Sequence, residues 1–195
     1  FDFIGHEHVA LYFLSSLMAV VGWVGLKIAD VSTNSINGGS LRVTITHRDC
    51  DTWGKGRALA QESFERTPAA FEQFIRKVER VKAQVSTWVN EANKRGQTVY
   101  AYGASTRGMT LLQTCGLAYP AIKAAVDVNP EKVGKFMGGV NIPIISEEQA
   151  RKDKPDMMLI LPWAFADDFI RKEEAYLKAG GSFLIPLPEP RIVRG

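Results

Sequence analysis

The sequence is poor in the residues that build disulfide frameworks and zinc sites, with two cysteines and three histidines among 195 residues. Cys50 and Cys115 lie far apart, and neither belongs to a Cys-x-x-Cys pair or to a cysteine–histidine cluster. This scarcity argues against a disulfide-rich secreted domain and against a structural zinc ion bound by the chain. It is typical of a reducing compartment, and a cytoplasmic protein is therefore expected.

Long runs of one charge are also missing from the sequence. The formal net charge is +3, and basic and acidic residues are interleaved along the chain. Without a basic block that contains aromatic residues, nucleic acid is not expected as a partner. The segment Val9–Leu26 has no charged residue, but its serines and glycines and the lack of a flanking basic cluster favour a buried or interface helix over a membrane span. No membrane partner is expected.

What is present is the composition of an ordinary globular protein, with 46% hydrophobic and 23% charged residues. Residues 1–48 predict a helix and then two strands joined by a glycine turn: Tyr12 to about Gly25, Leu26–Thr33, Asn37-Gly38-Gly39 and Leu41–His47. One helix and two strands are too few for a stable unit. We therefore interpret residues 1–48 as the C-terminal piece of another domain.

Residues 49–96 predict a polar loop followed by a long helix that links two domains. Thr67 is typical of an N-cap and Pro68 of a first helical position, whereas Lys94-Arg95-Gly96 is typical of a helix end. Between them, apolar residues recur at three- and four-residue spacing and form one stripe: Phe71, Phe74, Ile75, Val78, Val81, Val85, Trp88, Val89 and Ala92. A connecting helix packed on a core is favoured over a coiled coil.

From Gln97 onward, apolar strands alternate with helices, one of which is expected at Phe165–Lys178. The predicted strands are Thr98–Tyr102, Ala124–Val128, Ile142–Ile145, Met157–Leu161 and Phe183–Leu187. Apolar strands separated by helices imply a parallel sheet that is covered on both faces. The predicted fold class is therefore α/β, with a Rossmann-like parallel sheet domain over residues 97–195.

The first of these strands runs into a turn of small residues that opens a helix. The turn and the first helical turn comprise Gly103, Ala104, Ser105, Thr106, Arg107 and Gly108. Such a turn suits an anion such as phosphate, because the first helical N–H groups and the positive end of the helix dipole point at it. The glycine motif G-x-G-x-x-G is incomplete, since Ala101 occupies its first position, and this disfavours NAD. Ligand binding is favoured over a simple tight turn.

Two further residues lie where open α/β sheets bind ligands, at the carboxyl ends of strands. Asp127 ends the second predicted strand, where it either accepts a hydrogen bond from a ribose or caps the turn at Asn129-Pro130. Trp163 follows the apolar strand that ends at Leu161, where it either stacks on a base or sugar or packs in the core. Spacing alone leaves both alternatives open.

The segment Gly5-His6-Glu7-His8 contains two of the three histidines. A metal site is disfavoured, because the spacing H-E-x-x-H is absent and no third ligand lies nearby in the sequence. A histidine can accept a proton near neutral pH, and a neighbouring glutamate can orient it. On spacing alone, however, a polar cap on the following helix is the simpler interpretation.

Taken in order, several motifs resemble one known family. They are Ile4-Gly5-His6-Glu7-His8, Gly38-Gly39-Ser40-Leu41-Arg42-Val43, Tyr102-Gly103-Ala104 with Gly108, Val126-Asp127 with Asn129-Pro130, Val140-Asn141-Ile142-Pro143-Ile144, Leu161-Pro162-Trp163 and Ile185-Pro186-Leu187-Pro188-Glu189-Pro190. Over nearly the whole chain, the sequence resembles the S-adenosylmethionine-dependent C-methyltransferases that act on nucleotide-linked deoxysugars. The resemblance implies that residues 1–48 end a methyltransferase domain, and that the Rossmann-like domain contacts the sugar nucleotide.

The resemblance also implies a reaction and its components. A proton is removed next to the ketone of a 4-keto-6-deoxysugar, and the resulting enolate attacks the methyl group. His8 is then the general base, Glu7 its partner or a sugar contact, and His6 a member of the same pocket. The substrate is expected to carry thymidine diphosphate, S-adenosylmethionine to bind an upstream domain, and zinc to occur only in an N-terminal domain outside this chain.

The sequence departs from the family pattern at two positions. Gly5 stands where the family often has tyrosine, and Arg107 stands where lysine is common, which keeps the charge but changes its geometry. The first departure leaves a non-catalytic nucleotide-binding or docking module as the main alternative. A nicotinamide-dependent oxidoreductase fragment is a third hypothesis, disfavoured by the incomplete glycine motif.

Overall fold

The computed structural model describes residues 1–4, 8–34, 39–49, 59, 61–63 and 65–195. The chain divides into two compact units, one formed by Phe1–Glu7 with Val78–Gly195 and the other by His8–Lys77. Among the described residues, no helix combines the length and the apolar character that a bilayer crossing requires.

The described residues at the start of the smaller unit form a helix followed by an antiparallel strand pair, as the sequence predicts. Helix α1 spans Leu14–Trp23, strand β1 spans Lys27–Asn34, and strand β2 spans Ser40–Thr46. The strands pair from Lys27 opposite Thr46 to Asn34 opposite Ser40. A small apolar cluster joins the helix to the first strand through Leu14, Val21, Ile28 and Val31. Of the predicted turn, Asn37 and Gly38 lie outside the described residues.

Helix α2 spans Pro68–Lys94, as its cap residues predict. The amide N–H of Ala70 donates to Thr67 Oγ1 over 3.2 Å, which confirms Thr67 as the N-cap. At the other end Gln97 N–H donates to the carbonyl of Ala92, which is a Schellman-type closure with Gly96 in the left-handed region at φ +77°.

The predicted apolar stripe of α2 is buried only in its second half. Val81, Val85, Val89 and Ala92 belong to the core of the larger unit. By contrast, Phe71 is 61% exposed, and Phe74 and Ile75 are also exposed. The border between the two units falls between Lys77 and Val78, within this helix.

A seven-stranded sheet forms the centre of the larger unit. Its strands are β3 Val99–Tyr102, β4 Ala125–Val126, β5 Phe136–Met137, β6 Ile142–Ile145, β7 Met157–Ile160, β8 Ser182–Ile185 and β9 Arg191–Arg194. Their spatial order is β5-β6-β4-β3-β7-β8-β9, and the five inner strands are parallel. These five strands are the predicted ones, and their parallel pairing is confirmed; the prediction missed the two edge strands β5 and β9, which pair antiparallel with their neighbours.

Helices cover both faces of this sheet. Alternate residues of each strand point to opposite faces, and both sets of side chains are buried. Besides α2, the described residues of the larger unit form helices α3 Thr106–Thr114, α4 Glu147–Asp153, α5 Ala166–Lys172 and α6 Glu174–Lys178, with a 3-10 turn at Trp163–Phe165. One core contains Val99 and Ala101 with residues of α2 and α3. The other contains Tyr100 and Tyr102 with residues of α4, α5 and α6.

The prediction of one continuous helix over Phe165–Lys178 is wrong in its middle, because Glu173 interrupts the helix and separates α5 from α6. The side chain of Glu173 is buried and accepts hydrogen bonds from the Tyr102 hydroxyl and from Arg151. A continuous helical pattern in the sequence does not reveal a glutamate that is drawn into the core by such donors.

Candidate functional site

The strand order creates a topological switch point beside β3. After β3 the chain adds β4 and β6 on one side of it, and then returns to add β7 and β8 on the other side. In open α/β sheets, ligands bind in the crevice at the carboxyl ends of the strands next to such a point. Gly103–Gly108 and Asp127 directly follow β3 and β4, and Trp163 follows β7 after two residues. The structure thus brings these three groups to one edge of the sheet, which we call the switch-point edge.

Gly103 allows the loops after β3 and β7 to touch. Its N–H donates to the carbonyl of Val126 over 2.7 Å, and its φ of +91° is one that L side chains rarely adopt. A Cβ atom at this position would lie 2.7 Å from Cγ of Pro162. Gly103 is therefore required by the local backbone and by packing, whether or not a ligand approaches it.

The next residues begin α3 with a defined cap. Ser105 is the N-cap, and its hydroxyl accepts from the N–H of Gly108 over 3.1 Å. A Cβ atom on Gly108 would lie 2.7 Å from Cβ of Leu161, so this glycine lets α3 lie close against β7. The helix start is fixed in place at the switch-point edge, where the positive end of its dipole favours an anion. That an anion binds there stays a prediction.

Asp127 caps the turn that follows β4, which was one of its two predicted roles. Its Oδ1 accepts from Asn129 N–H over 2.9 Å, and its Oδ2 accepts from Ala104 N–H over 2.9 Å and from Lys132 Nζ over 3.1 Å. Burial alone raises the pKa of Asp127, but these backbone N–H groups and the lysine charge outweigh it and hold the pKa below its ordinary value. The carboxylate is therefore ionised at neutral pH.

Arg107 and Trp163 share a buried acceptor that the sequence pattern does not reveal, the carboxylate of Asp2. Asp2 is 6% exposed, and its Oδ2 accepts from Arg107 Nη2 and from Trp163 Nε1, each over 2.8 Å. The guanidinium also lies 4.4 Å from the ring centroid of Phe3. Spacing gives no signal for this cluster, since Asp2 lies 105 and 161 residues away from its partners. A substrate contact by Arg107 or Trp163 stays a prediction.

Replacing Asp2 by alanine is expected to destabilise the larger unit by about 3 kcal/mol, because it removes a buried carboxylate that accepts from a partly buried guanidinium and from an indole N–H. Chemical denaturation of the variant and the parent chain measures this difference. Arg80→Ala is the matched control. Its bidentate pair with Glu189 also spans more than 100 residues but is solvent-exposed, so a loss below about 1 kcal/mol is expected. Equal losses for the two variants would contradict this account.

A second polar cluster lies at the carboxyl end of β3, on the face of the sheet that α4, α5 and α6 cover. The Tyr102 hydroxyl lies 2.6 Å from Glu147 Oε1 and 3.0 Å from Glu173 Oε1, and Arg151 and Lys172 neutralise these carboxylates. Burial and the neighbouring carboxylates raise the pKa of Tyr102 well above its ordinary value. Burial raises the pKa of Glu147, but hydrogen bonds from Lys172 and Tyr102 with the basic charges outweigh it, and the net shift is downward. The cluster thus ties α4 and α5 to β3.

This downward shift predicts a pH dependence of stability. Because the pKa of Glu147 is lower in the folded chain than its ordinary value of 4.5, its contribution is fully present above pH 4.5 and is lost as the pH falls through the folded pKa. Glu147→Gln is therefore expected to be less stable than the parent chain by about 1 kcal/mol at pH 7. Denaturation curves at pH 7 and pH 3 should show this difference shrinking. A difference that grows in acid would have the wrong sign.

The predicted catalytic segment is described only in part. Gly5, His6 and Glu7 lie outside the described residues, and His8 is an exposed residue of the smaller unit. Their catalytic roles stay predictions. Among the residues that the structure describes, no group of three or more histidine, cysteine, aspartate or glutamate side chains is arranged to hold a metal ion.

A depression of about 740 Å³ lies at the other end of the strands, where the sequence pattern predicts no site. Its lining residues precede β3 and β4: Asn90, Asn93, Lys94, Gly96, Gln97, Thr98, Pro120, Ala121 and Lys123. This opposite-edge depression lies away from the carboxyl ends where α/β sheets bind ligands. Residues that line it are therefore suitable controls for residues of the switch-point edge.

Comparison with known proteins adds two findings. A family model described as the C-methyltransferase C-terminal domain matches residues 35–188. The C-methyltransferase NovU of Streptomyces niveus is 36% identical to the chain over 198 residues, which cover 99% of this chain and 47% of NovU. The chain thus spans about half the length of the curated relative that it matches.

Proposed function

The chain belongs to the C-methyltransferase C-terminal domain family, and from this premise we propose that its larger unit binds a nucleotide-linked 4-keto-deoxysugar for an S-adenosylmethionine-dependent C-methyltransferase. The observation that carries the proposal is the switch-point edge. Three loops meet there, and they bring together a capped helix start, an ionised carboxylate and an indole.

Each part of a sugar nucleotide has a suitable partner at this edge. The diphosphate lies at the start of α3, where Ser105 and Thr106 supply hydroxyl and backbone groups and the helix dipole favours negative charge. The deoxyribose hydroxyl of the nucleotide donates to Asp127, which its hydrogen-bond partners keep ionised. The sugar lies on the side of β7, towards Trp163, whose ring is only partly buried. The nucleotide is of the thymidine diphosphate type.

The chemistry belongs to the segment His6-Glu7-His8. His8 accepts the proton next to the ketone, Glu7 orients the imidazole or contacts the sugar, and His6 completes the pocket. S-adenosylmethionine supplies the methyl group. It binds an upstream part of the enzyme, because the turn at Gly103 between β3 and α3 binds the sugar nucleotide in this proposal. The substrate enolate formed by His8 is the nucleophile.

We also propose that residues 1–48 end the methyltransferase domain, that residues 49–96 link it to the Rossmann-like domain, and that residues 97–195 form the latter. Exposed apolar side chains of the smaller unit support the first of these assignments. Trp23 is 82% exposed, and Leu41 and Ile45 of β2 are exposed as well. Further strands and helices of a larger domain would bury such surfaces.

A non-catalytic nucleotide-binding module is the second candidate function. The presence of Gly5 where the family often has tyrosine favours it, because a hydroxyl near the predicted base is then missing. Both candidates require the switch-point edge to bind a nucleotide. They differ only in whether the His6–His8 segment transfers a proton.

Calorimetric titration of the chain tests the binding that both candidates share. Thymidine diphosphate is expected to bind more tightly than uridine or guanosine diphosphate, and NAD and S-adenosylmethionine are expected not to bind. Asp127→Asn should weaken binding by about tenfold through the loss of one charge-assisted hydrogen bond. Lys123→Met, at the opposite-edge depression, should leave it unchanged. If no nucleoside diphosphate binds, the proposal fails.

A further inference from the structure

Lys132 lies between β4 and β5 and was not among the predicted site residues, yet its ammonium group reaches the switch-point edge. Its Nζ donates to the carbonyl oxygen of Ala104 over 2.9 Å and to Asp127 Oδ2 over 3.1 Å. The lysine side chain is 39% exposed, whereas that of Asp127 is 10% exposed. Lys132 therefore covers one side of a largely buried carboxylate.

The two side chains together hold Ala104 by both of its backbone polar groups. The N–H of Ala104 donates to Asp127 Oδ2 over 2.9 Å, and its carbonyl accepts from Lys132. Ala104 directly follows Gly103 in the turn that leads into α3. The loop conformation at the proposed nucleotide site is thus fixed by the segment that follows β4.

This arrangement distinguishes the two oxygens of Asp127. Each carboxylate oxygen has two lone pairs. Oδ2 uses both, on Ala104 N–H and Lys132, whereas Oδ1 accepts from Asn129 N–H and from no other donor among the described residues. One acceptor position on Oδ1 is left for a ligand hydroxyl, and the bonds to Oδ2 prevent the carboxylate from rotating away from it.

We propose that Lys132 is a positioning residue that acts through Asp127 and makes the site select for the 3′-hydroxyl of the nucleotide's deoxyribose. The inference rests on the proposed function, because it assumes that a nucleotide binds this edge. Without Lys132, the carboxylate is held only by the N–H groups of Ala104 and Asn129, and Oδ2 has a free acceptor position. Oδ1 is then held less firmly, and the preference for a nucleotide that donates a hydroxyl hydrogen bond to Oδ1 becomes weaker.

The test compares the affinities for thymidine diphosphate and 2′,3′-dideoxythymidine diphosphate, which lacks the 3′-hydroxyl. A hydrogen bond to a charged group predicts a preference of the parent chain for thymidine diphosphate of about 10- to 100-fold. In Lys132→Met this ratio should fall several-fold, and Lys132→Arg, which keeps the charge and the donors, should restore part of it. Lys135→Met, an exposed lysine nearby, is the matched control and should keep the full ratio.

The affinity ratio separates positioning from a purely structural role, since general damage to the site weakens both ligands equally. Thermal unfolding checks that each variant is folded, and Lys132→Gln, which retains one donor group, provides a milder second variant. An unchanged ratio in folded Lys132→Met, or a parent chain that binds both ligands equally, overturns the inference and leaves the proposed function standing. Failure of the parent chain to bind either ligand overturns both.

Discussion

Replacing Gly103 by alanine is expected to destabilise the larger unit by about 4 kcal/mol. Two costs combine at this position. The backbone must keep a φ of +91° with a side chain present, and the new Cβ atom must fit 2.7 Å from Pro162. Each cost is about 1–3 kcal/mol. Chemical denaturation of the variant against the parent chain measures the sum.

Two other glycines separate these costs. Gly116 has a φ of +65° but open space around its Cβ position, so Gly116→Ala measures backbone strain alone, at about 1 kcal/mol. Gly108 has no positive φ, but its Cβ would lie 2.7 Å from Leu161, so Gly108→Ala measures the steric clash, at about 2 kcal/mol. If Gly103→Ala proves no worse than Gly116→Ala, the contact between the loops after β3 and β7 is not the constraint described.

Replacing His8 by asparagine is expected to reduce methyl transfer by about 10³-fold, because a positioned general base contributes about 10²- to 10⁴-fold to a rate. The measurement is single-turnover transfer from S-adenosylmethionine to the nucleotide-linked ketosugar, in an enzyme that joins this chain to its S-adenosylmethionine-binding part. Binding of thymidine diphosphate to the larger unit should be unaffected. Loss of rate with unchanged nucleotide affinity distinguishes a catalytic role from a binding role.

The third histidine supplies the control. His47 is exposed and follows β2, and no role is assigned to it. His47→Asn is therefore expected to keep the parent rate. If His8→Asn also keeps it, His8 is not the base, and the non-catalytic binding module becomes the better account of the chain.

The parts of the fold that depend on local patterns were predictable from the sequence. The cap Thr67-Pro68 placed the start of α2 correctly, because a hydroxyl that accepts an early helical N–H is a local signal. The apolar strand before Gly103 and the small-residue turn after it predicted β3 and the start of α3 in the same way. Local signals of this kind are sufficient to predict the loop that leads from β3 into α3 at the switch-point edge.

Features that depend on distant contacts were not predictable. The edge strands β5 and β9 are short and lack a strong apolar pattern, so only their pairing identifies them. The sequence gives no sign that Asp2 is buried, because its partners Trp163 and Arg107 are distant in the chain and meet it only in the folded structure. Lys132 likewise resembles any surface lysine, since its bond to the Ala104 carbonyl spans 28 residues.

Amide chemical shift mapping by NMR tests the central claim most directly, because it locates the nucleotide site on the chain. On adding thymidine diphosphate, we expect saturable shifts at the switch-point edge, with Gly103, Ala104 and Gly108 as reporters. The opposite-edge depression should remain unchanged, with Gly96, Gln97 and Thr98 as matched reporters. Saturable shifts confined to Gly96, Gln97 and Thr98, or no shifts at either edge, would contradict the account.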